Sequence, residues 1–192
     1  IRINDRKVLN GILAGAGVVA ADDPSPEAAA RRSHVLRTVD KYDRVGLDGV
    51  RLLLGPGRRD ESGDITPGVG LDDTQIDRIV GFVTAGGGTR SEVLARLSDL
   101  VGDQPDGRAG IDELTMIDSL LTAMGLDPAT VVIDPTVVRG LDYYTGPVFE
   151  AVLTMETPDD GTPRSFGSVA AGGRYDDLVR RFTGQEVPAC GA

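Results

Sequence analysis

Two scarcities remove whole classes of chemistry from this 192-residue chain: it has one cysteine, Cys190, and one histidine, His34. A lone cysteine forms no internal disulfide, and without a second cysteine nearby it builds no familiar zinc site with His34. No metal site is expected. His34 shows no carboxylate or serine partner in the sequence, so catalysis there is not expected either. No stretch approaches the roughly 20 uninterrupted apolar residues of a membrane span, and no basic-then-apolar leader precedes a cleavage site. A cytoplasmic protein with no membrane partner is the default expectation. Basic residues are outnumbered 20 to 30, for a net charge of -10. That balance argues against a chain that coats itself on nucleic acid, because such binding rests on clustered Lys and Arg that release counterions from phosphates. Contact with RNA is therefore expected only through a local patch or through parts of the protein outside this sequence. No repeat of fixed period appears, which argues against a solenoid.

What is present is the composition of a soluble globular protein, 40% hydrophobic and 26% charged, long enough for one or two compact units. Ile1 to Asn4 alternates like the end of a strand, and Asn4 or Asp5 can cap a helix whose apolar face is Val8, Leu9, Ile12 and Leu13. Ala14-Gly15-Ala16-Gly17 follows a helical pattern rather than a strand, so it reads as a helix end and not as a dinucleotide loop. After the break at Asp22 to Pro26, one helix is expected over Glu27 to Arg44 and a short one over Leu47 to Leu54. Gly55 to Gly70 reads as a mobile loop with a solvated Arg58-Arg59 pair. Further helical patterns cover Asp72 to Thr84, Ser91 to Val101 and Ile111 to Met124, with faces that can close on one another as a small bundle. Residues 26–128 are thus expected to form a helical insertion between strand-bearing segments at 1–25 and 129–192.

The most informative run is Thr130 to Leu153, TVVIDPTVVRGLDYYTGPVFEAVL, which reads as a β-hairpin with chemistry at its bend. Arg139 stands where the first strand ends, and an arginine fixed there offers a charged planar fork for a phosphate or a carboxylate. From spacing alone the same residues also fit an exposed arginine beside two packed tyrosines, Tyr143 and Tyr144. A second run, Ser165 to Val179, is an apolar strand ending in Gly172-Gly173 and passing through Arg174-Tyr175-Asp176-Asp177 into a helix. Glycines there permit close approach of a ligand or another backbone, and the helix start offers N–H groups to an anion. Three of the four tyrosines fall in these two runs.

Arg139-Gly140-Leu141-Asp142-Tyr143-Tyr144-Thr145-Gly146, followed by Val148-Phe149-Glu150, resembles the first signature peptide of histidyl-tRNA synthetases. Ala171-Gly172-Gly173-Arg174-Tyr175-Asp176 resembles the second, and Ile1 to Leu9 and Val187 to Gly191 match the family at the corresponding places. The resemblance implies an α+β fold: part of a class II synthetase antiparallel-sheet catalytic domain interrupted by an all-helical insertion. It implies ATP-dependent activation of histidine to histidyl-adenylate and transfer to tRNA(His), with Mg2+ arriving on the nucleotide, in a homodimer. It assigns catalysis to Arg139 and the histidine or adenylate pocket to Tyr143, Tyr144, Tyr175, Gly172 and Gly173, while Asp142 and Asp176 are either orienting groups or turn and cap residues. One departure is Asp177, where the second signature often has Gly. Both ends look cut, and the segment by itself is expected to be unable to complete catalysis. The rival expectation is a non-catalytic paralogue that binds histidine or senses tRNA, and a blander one is a helical interaction module fused to a small sheet.

Overall fold

The computed structural model of the chain describes residues 1–20, 23–59, 63–138, 143–153, 167–185 and 187–192. Strand β1, Arg2–Asp5, passes without a loop into helix α1, Arg6–Gly15. Of the two capping candidates Asp5 does the work: its backbone is extended and its Oδ1 accepts the Lys7 N–H at 2.8 Å. Asn4 instead donates its amide to the carbonyls of Pro135 and Val137, at 3.2 and 3.1 Å. Gly17, at φ +67°, closes the helix end where the sequence predicts it.

The predicted single helix over 27–44 is two. Helix α2 runs over Pro26–Val39, with Ser25 Oγ accepting from Ala28 N at 3.1 Å, and α3 over Tyr42–Leu54. A further bend lies at Gly46, whose φ of +68° and ψ of −179° are not helical and suit glycine alone. The following loop holds a small hairpin, β2 (Gly57–Arg59) with β3 (Ile65–Pro67). Helices α4 (Asp73–Val83) and α5 (Arg90–Val101) each start on a capping box, Asp72 with Gln75 and Thr89 with Glu92, so their boundaries were readable. Helix α6 spans Pro105–Ala123 and starts six residues before the expected Ile111. Gly107 and Gly110 look like loop residues, yet they sit inside α6 because α1 crosses there. A Cβ on Gly110 would stand 2.7 Å from Val8 N, and one on Gly11 would stand 2.5 Å from Gly107 Cα.

The remaining elements are β4 (Val132–Ile133), β5 (Pro147–Val152), β6 (Ser168–Arg174), α7 (Asp176–Thr183) and β7 (Cys190–Gly191). The five-stranded sheet has the order β4-β1-β5-β6-β7, with β4 parallel to β1 and the other neighbours antiparallel. The α+β class is as expected, but Thr130 to Leu153 is not a hairpin. Strand β1 lies between its two halves, pairing Ile3 with Ile133 on one side and with Phe149 on the other. Strand β4 is cut short by the Asp134 turn, in which Oδ1 accepts from Thr136 N at 2.9 Å and which Pro135 enforces. A parallel partner needs a long crossover, and the helical segment supplies it.

The helical faces do not close only on one another. One continuous core joins Val8 and Ile12 of α1 to Ile79, Phe82, Leu97 and Leu114 of α4 to α6 and to Ile133 and Val148 of the sheet. Arg90, 6% exposed, fastens this junction by pairing with Asp118 of α6 and donating to Val131 O at 3.0 Å. Among the described residues no helix is long and apolar enough to cross a membrane.

Candidate active site

Pairing of β5 with β6 sets Val148 opposite Gly173 and Phe149 opposite Gly172, which brings the end of the first signature against the second. Three hydrogen bonds seal the join. Thr145 N donates to Arg174 O at 2.8 Å, Thr145 Oγ1 donates to the same oxygen at 3.4 Å, and Asp176 N donates to Thr145 Oγ1 at 3.3 Å. The tyrosines consequently form a cluster: ring centres lie 4.2 Å apart for Tyr143 and Tyr144 and 6.5 Å apart for Tyr144 and Tyr175, tilted by 42° and 44°. Tyr144 is 8% exposed and Tyr143 38%. Burial, then the hydrogen bond with Tyr143, pushes the Tyr144 phenol up to about 12, so it stays protonated at neutral pH and keeps a proton to donate.

Gly172 and Gly173 are required, though for packing within the chain. A Cβ on Gly173 would meet the Tyr144 ring at 2.8 Å, and one on Gly172 would meet the Phe149 ring at 2.6 Å. The glycines therefore seat one aromatic ring on each face of β6. Asp176 is held through both of its carboxylate oxygens. Its Oδ1 accepts from Ala189 N at 2.9 Å and its Oδ2 from Arg174 Nε at 2.8 Å, while Tyr175 N donates to Ala189 O at 2.8 Å. Burial raises the Asp176 carboxyl, but the Ala189 N–H and the Arg174 guanidinium outweigh it and hold the group below its usual range. Asp177, the residue that departs from the signature, lines a cleft of ≈ 290 Å³ with Tyr143, Tyr144, Thr145, Lys7 and Arg181.

Arg139 and Asp142 lie outside the described residues. The backbone leading to them is firmly placed: Val137 and Val138 are 3% and 4% exposed, and Asn4 holds the Val137 carbonyl. On the same side of β1 and β5 as Asn4, judged from register, Arg2 and Glu150 stand opposite each other and line a cleft of ≈ 100 Å³ with Thr136. His34 sits half-buried on α2, its carbonyl bonded by Thr38.

Sequence reasoning missed Asn4 as an anchor, Thr145 as the clasp between signatures, and a charged group formed by Asp5, Lys7, Glu113 and Arg174. Lys7 Nζ lies 2.6 Å from Glu113 Oε1 although the two are 106 positions apart. No local pattern could reveal that pairing.

A profile of the histidyl-tRNA synthetase family matches residues 65–192. The chain is 54% identical to the histidine–tRNA ligase of Roseobacter denitrificans and 55% identical to that of Cereibacter sphaeroides, aligning over all of its own length and over 40% and 39% of theirs. Among solved structures it resembles the histidyl-tRNA synthetase of Nostoc sp. PCC 7120, with a TM-score of 0.74 at 27% identity over 97% of this chain and 37% of that one. A Bacillus halodurans protein described as an ATP phosphoribosyltransferase regulatory subunit/histidyl-tRNA synthetase shares the fold, with a TM-score of 0.65 at 21% identity over 98% of this chain and 40% of that one. The chain thus spans about two-fifths of the curated relatives it matches, and with the profile covering both signature segments, it belongs to the histidyl-tRNA synthetase family.

Proposed function

We propose that this chain supplies the signature-bearing part of a histidine–tRNA ligase, which activates histidine with ATP to histidyl-adenylate and then charges tRNA(His). The observation that carries the reading is the clasp between the two signatures, which holds Tyr144 and Tyr175 as one cluster. In the first step the histidine carboxylate attacks the α-phosphate of ATP and pyrophosphate leaves. In the second a ribose hydroxyl of the tRNA attacks the adenylate carbonyl and AMP leaves. ATP is a substrate here and brings its own Mg2+. Arg139 is proposed to neutralise the charge that builds on the α-phosphate, worth roughly 3 to 4 kcal/mol for one well-placed donor. Tyr143, Tyr144 and Tyr175 are proposed to flank the imidazole, a small flat ring with one donor and one acceptor, which a phenol can meet on both counts. The reading carries with it a cytoplasmic homodimer.

Histidine-dependent exchange of pyrophosphate into ATP by the complete ligase containing this chain tests the proposal. Exchange that requires histidine is expected. Histidine binding without exchange would instead identify a sensing paralogue. Tyr144→Phe keeps the ring seated on Gly173 and removes one hydroxyl, so the KM for histidine should rise roughly tenfold, the value of one hydrogen bond, with turnover little changed. A changed turnover at constant KM would place Tyr144 elsewhere in the reaction.

A further inference from the structure

Register places Asp5 and Phe149 on the face of the sheet opposite Asn4 and Val148. There, charged side chains from three distant parts of the chain converge. Asp5 is completely buried, and its Oδ1 is committed to the Lys7 N–H. Its Oδ2 and the Oε2 of Glu113 on α6 are both buried, and neither has a hydrogen-bond partner among the described residues. A proton shared between the two carboxyls would satisfy both oxygens at once. Glu113 Oε1 accepts from Lys7 Nζ at 2.6 Å and lies 4.0 Å from Arg174 Nη1. Arg174 is paired in turn with Asp176 of α7, and Cys190 of β7 lines the same ≈ 560 Å³ cavity as Glu113 and Arg174. Helix α6 therefore grips the end of β6 at the residue whose carbonyl receives Thr145.

We propose that Glu113 is a positioning residue for the tyrosine cluster: one carboxylate, shared among Asp5, Lys7 and Arg174, ties the helical segment to both signature peptides. Its effect on catalysis rests on the ligase reading, whereas its effect on the tyrosines does not. The group also carries a proton-linked signature. Burial, then the hydrogen bond with Glu113, pushes Asp5 up to about 8. Burial acts to raise Glu113 as well, but the Lys7 and Asp5 hydrogen bonds bring it below its ordinary 4.5. Between its unfolded value of 3.8 and about 8 the folded chain holds a proton on Asp5 that the unfolded chain has lost, so this group makes stability fall as pH rises through that window and level off above it. Glu113 acts oppositely: its contribution is present above 4.5 and is lost as pH falls further. Loss of the Asp5 proton sets two carboxylates against each other, a repulsion that moves Glu113 and with it the ion pair to Arg174.

The chain has no tryptophan, so near-ultraviolet circular dichroism reports its tyrosines. In the complete ligase the part of the near-ultraviolet band that Tyr144→Phe removes is expected to change through a transition near pH 8. Asp5→Asn keeps the cap and presents an N–H to Glu113 with no proton to lose, so it should abolish the transition. Glu113→Gln should abolish it too and raise the KM for histidine roughly tenfold, as for loss of one ordering hydrogen bond, more than it lowers kcat. A wild-type band that does not titrate there, or Asp5→Asn retaining the transition, would overturn the proposal even if Glu113→Gln failed to fold. So would Glu113→Gln with unchanged KM. If the wild type showed no histidine-dependent exchange, the ligase reading would fail while the tyrosine band would still decide the role of Glu113.

Discussion

Arg139→Lys is expected to slow histidine-dependent pyrophosphate exchange roughly 100-fold or more, with histidine affinity nearly unchanged. Charge on the α-phosphate builds chiefly in the transition state, so a donor that matches it there appears in kcat rather than in binding. Lysine keeps the positive charge but loses the planar fork that engages two oxygens at once. The chain just before Arg139 is anchored: Val137 and Val138 are buried, and Asn4, itself fully buried, holds the carbonyls of Pro135 and Val137. Rapid-quench measurement of adenylate formation beside equilibrium binding of histidine separates the two quantities. Exchange within a few-fold of wild type together with a collapse of histidine affinity would make Arg139 a clamp for the substrate carboxylate instead.

The second large effect is on stability. Gly11→Ala and Gly110→Ala should each destabilise the fold by about 1–3 kcal/mol, the usual cost of overpacking a close-packed core. Alanine at an ordinary helix position gains up to about 1 kcal/mol over glycine. Here the sign reverses, because the added carbon meets backbone that cannot rotate away: Gly107 Cα at 2.5 Å for Gly11 and Val8 N at 2.7 Å for Gly110. Gly81→Ala is the control, since its new neighbour would be the flexible end of Leu100 at 3.2 Å. Thermal unfolding of the three variants checks the expectation, each kcal/mol moving the midpoint by about 2–4 °C in a domain of this size. Equal melting of Gly11→Ala and Gly81→Ala would mean that α1 and α6 are not held by close contact at the glycines.

The sequence foretold elements whose signals are local and left unannounced those whose signals lie in distant chain. Helices α4 and α5 carry their own start marks in Asp72, Gln75, Thr89 and Glu92. The strand-to-helix passage at Gly173 to Asp176 was likewise legible from the apolar run and the glycines. The early start of α6 was not, because Gly107 and Gly110 are local signs of a loop and only the arrival of α1 makes them useful. The supposed hairpin failed for a similar reason: Val131 to Val138 and Val148 to Leu153 have strand composition, but composition does not say which strand is the neighbour, and β1 takes both sides. In the site, the tyrosines and glycines of the signatures were visible as residues. What they touch was not, since Tyr144 rests on Gly173 and Arg174 reaches toward Glu113 across gaps that sequence spacing does not encode.

The central place of β1 has a consequence for how the chain is made. Its hydrogen-bonding partners emerge from the ribosome long after it: Asn4 and the Pro135 carbonyl it grips are 131 positions apart. Helices α2 to α6 therefore have time to form by local contacts while β1 waits with both edges open, and closing so long a loop is entropically costly and slow. An unpaired strand is an invitation to mispairing, and here the strand is only four residues long, with Asn4 and Asp5 as its last two. Brevity and polarity at β1 thus serve the nascent chain as well as the finished site, and pulse-labelling hydrogen exchange should find the amides of β1 and β4 protected together and after those of α4 and α5.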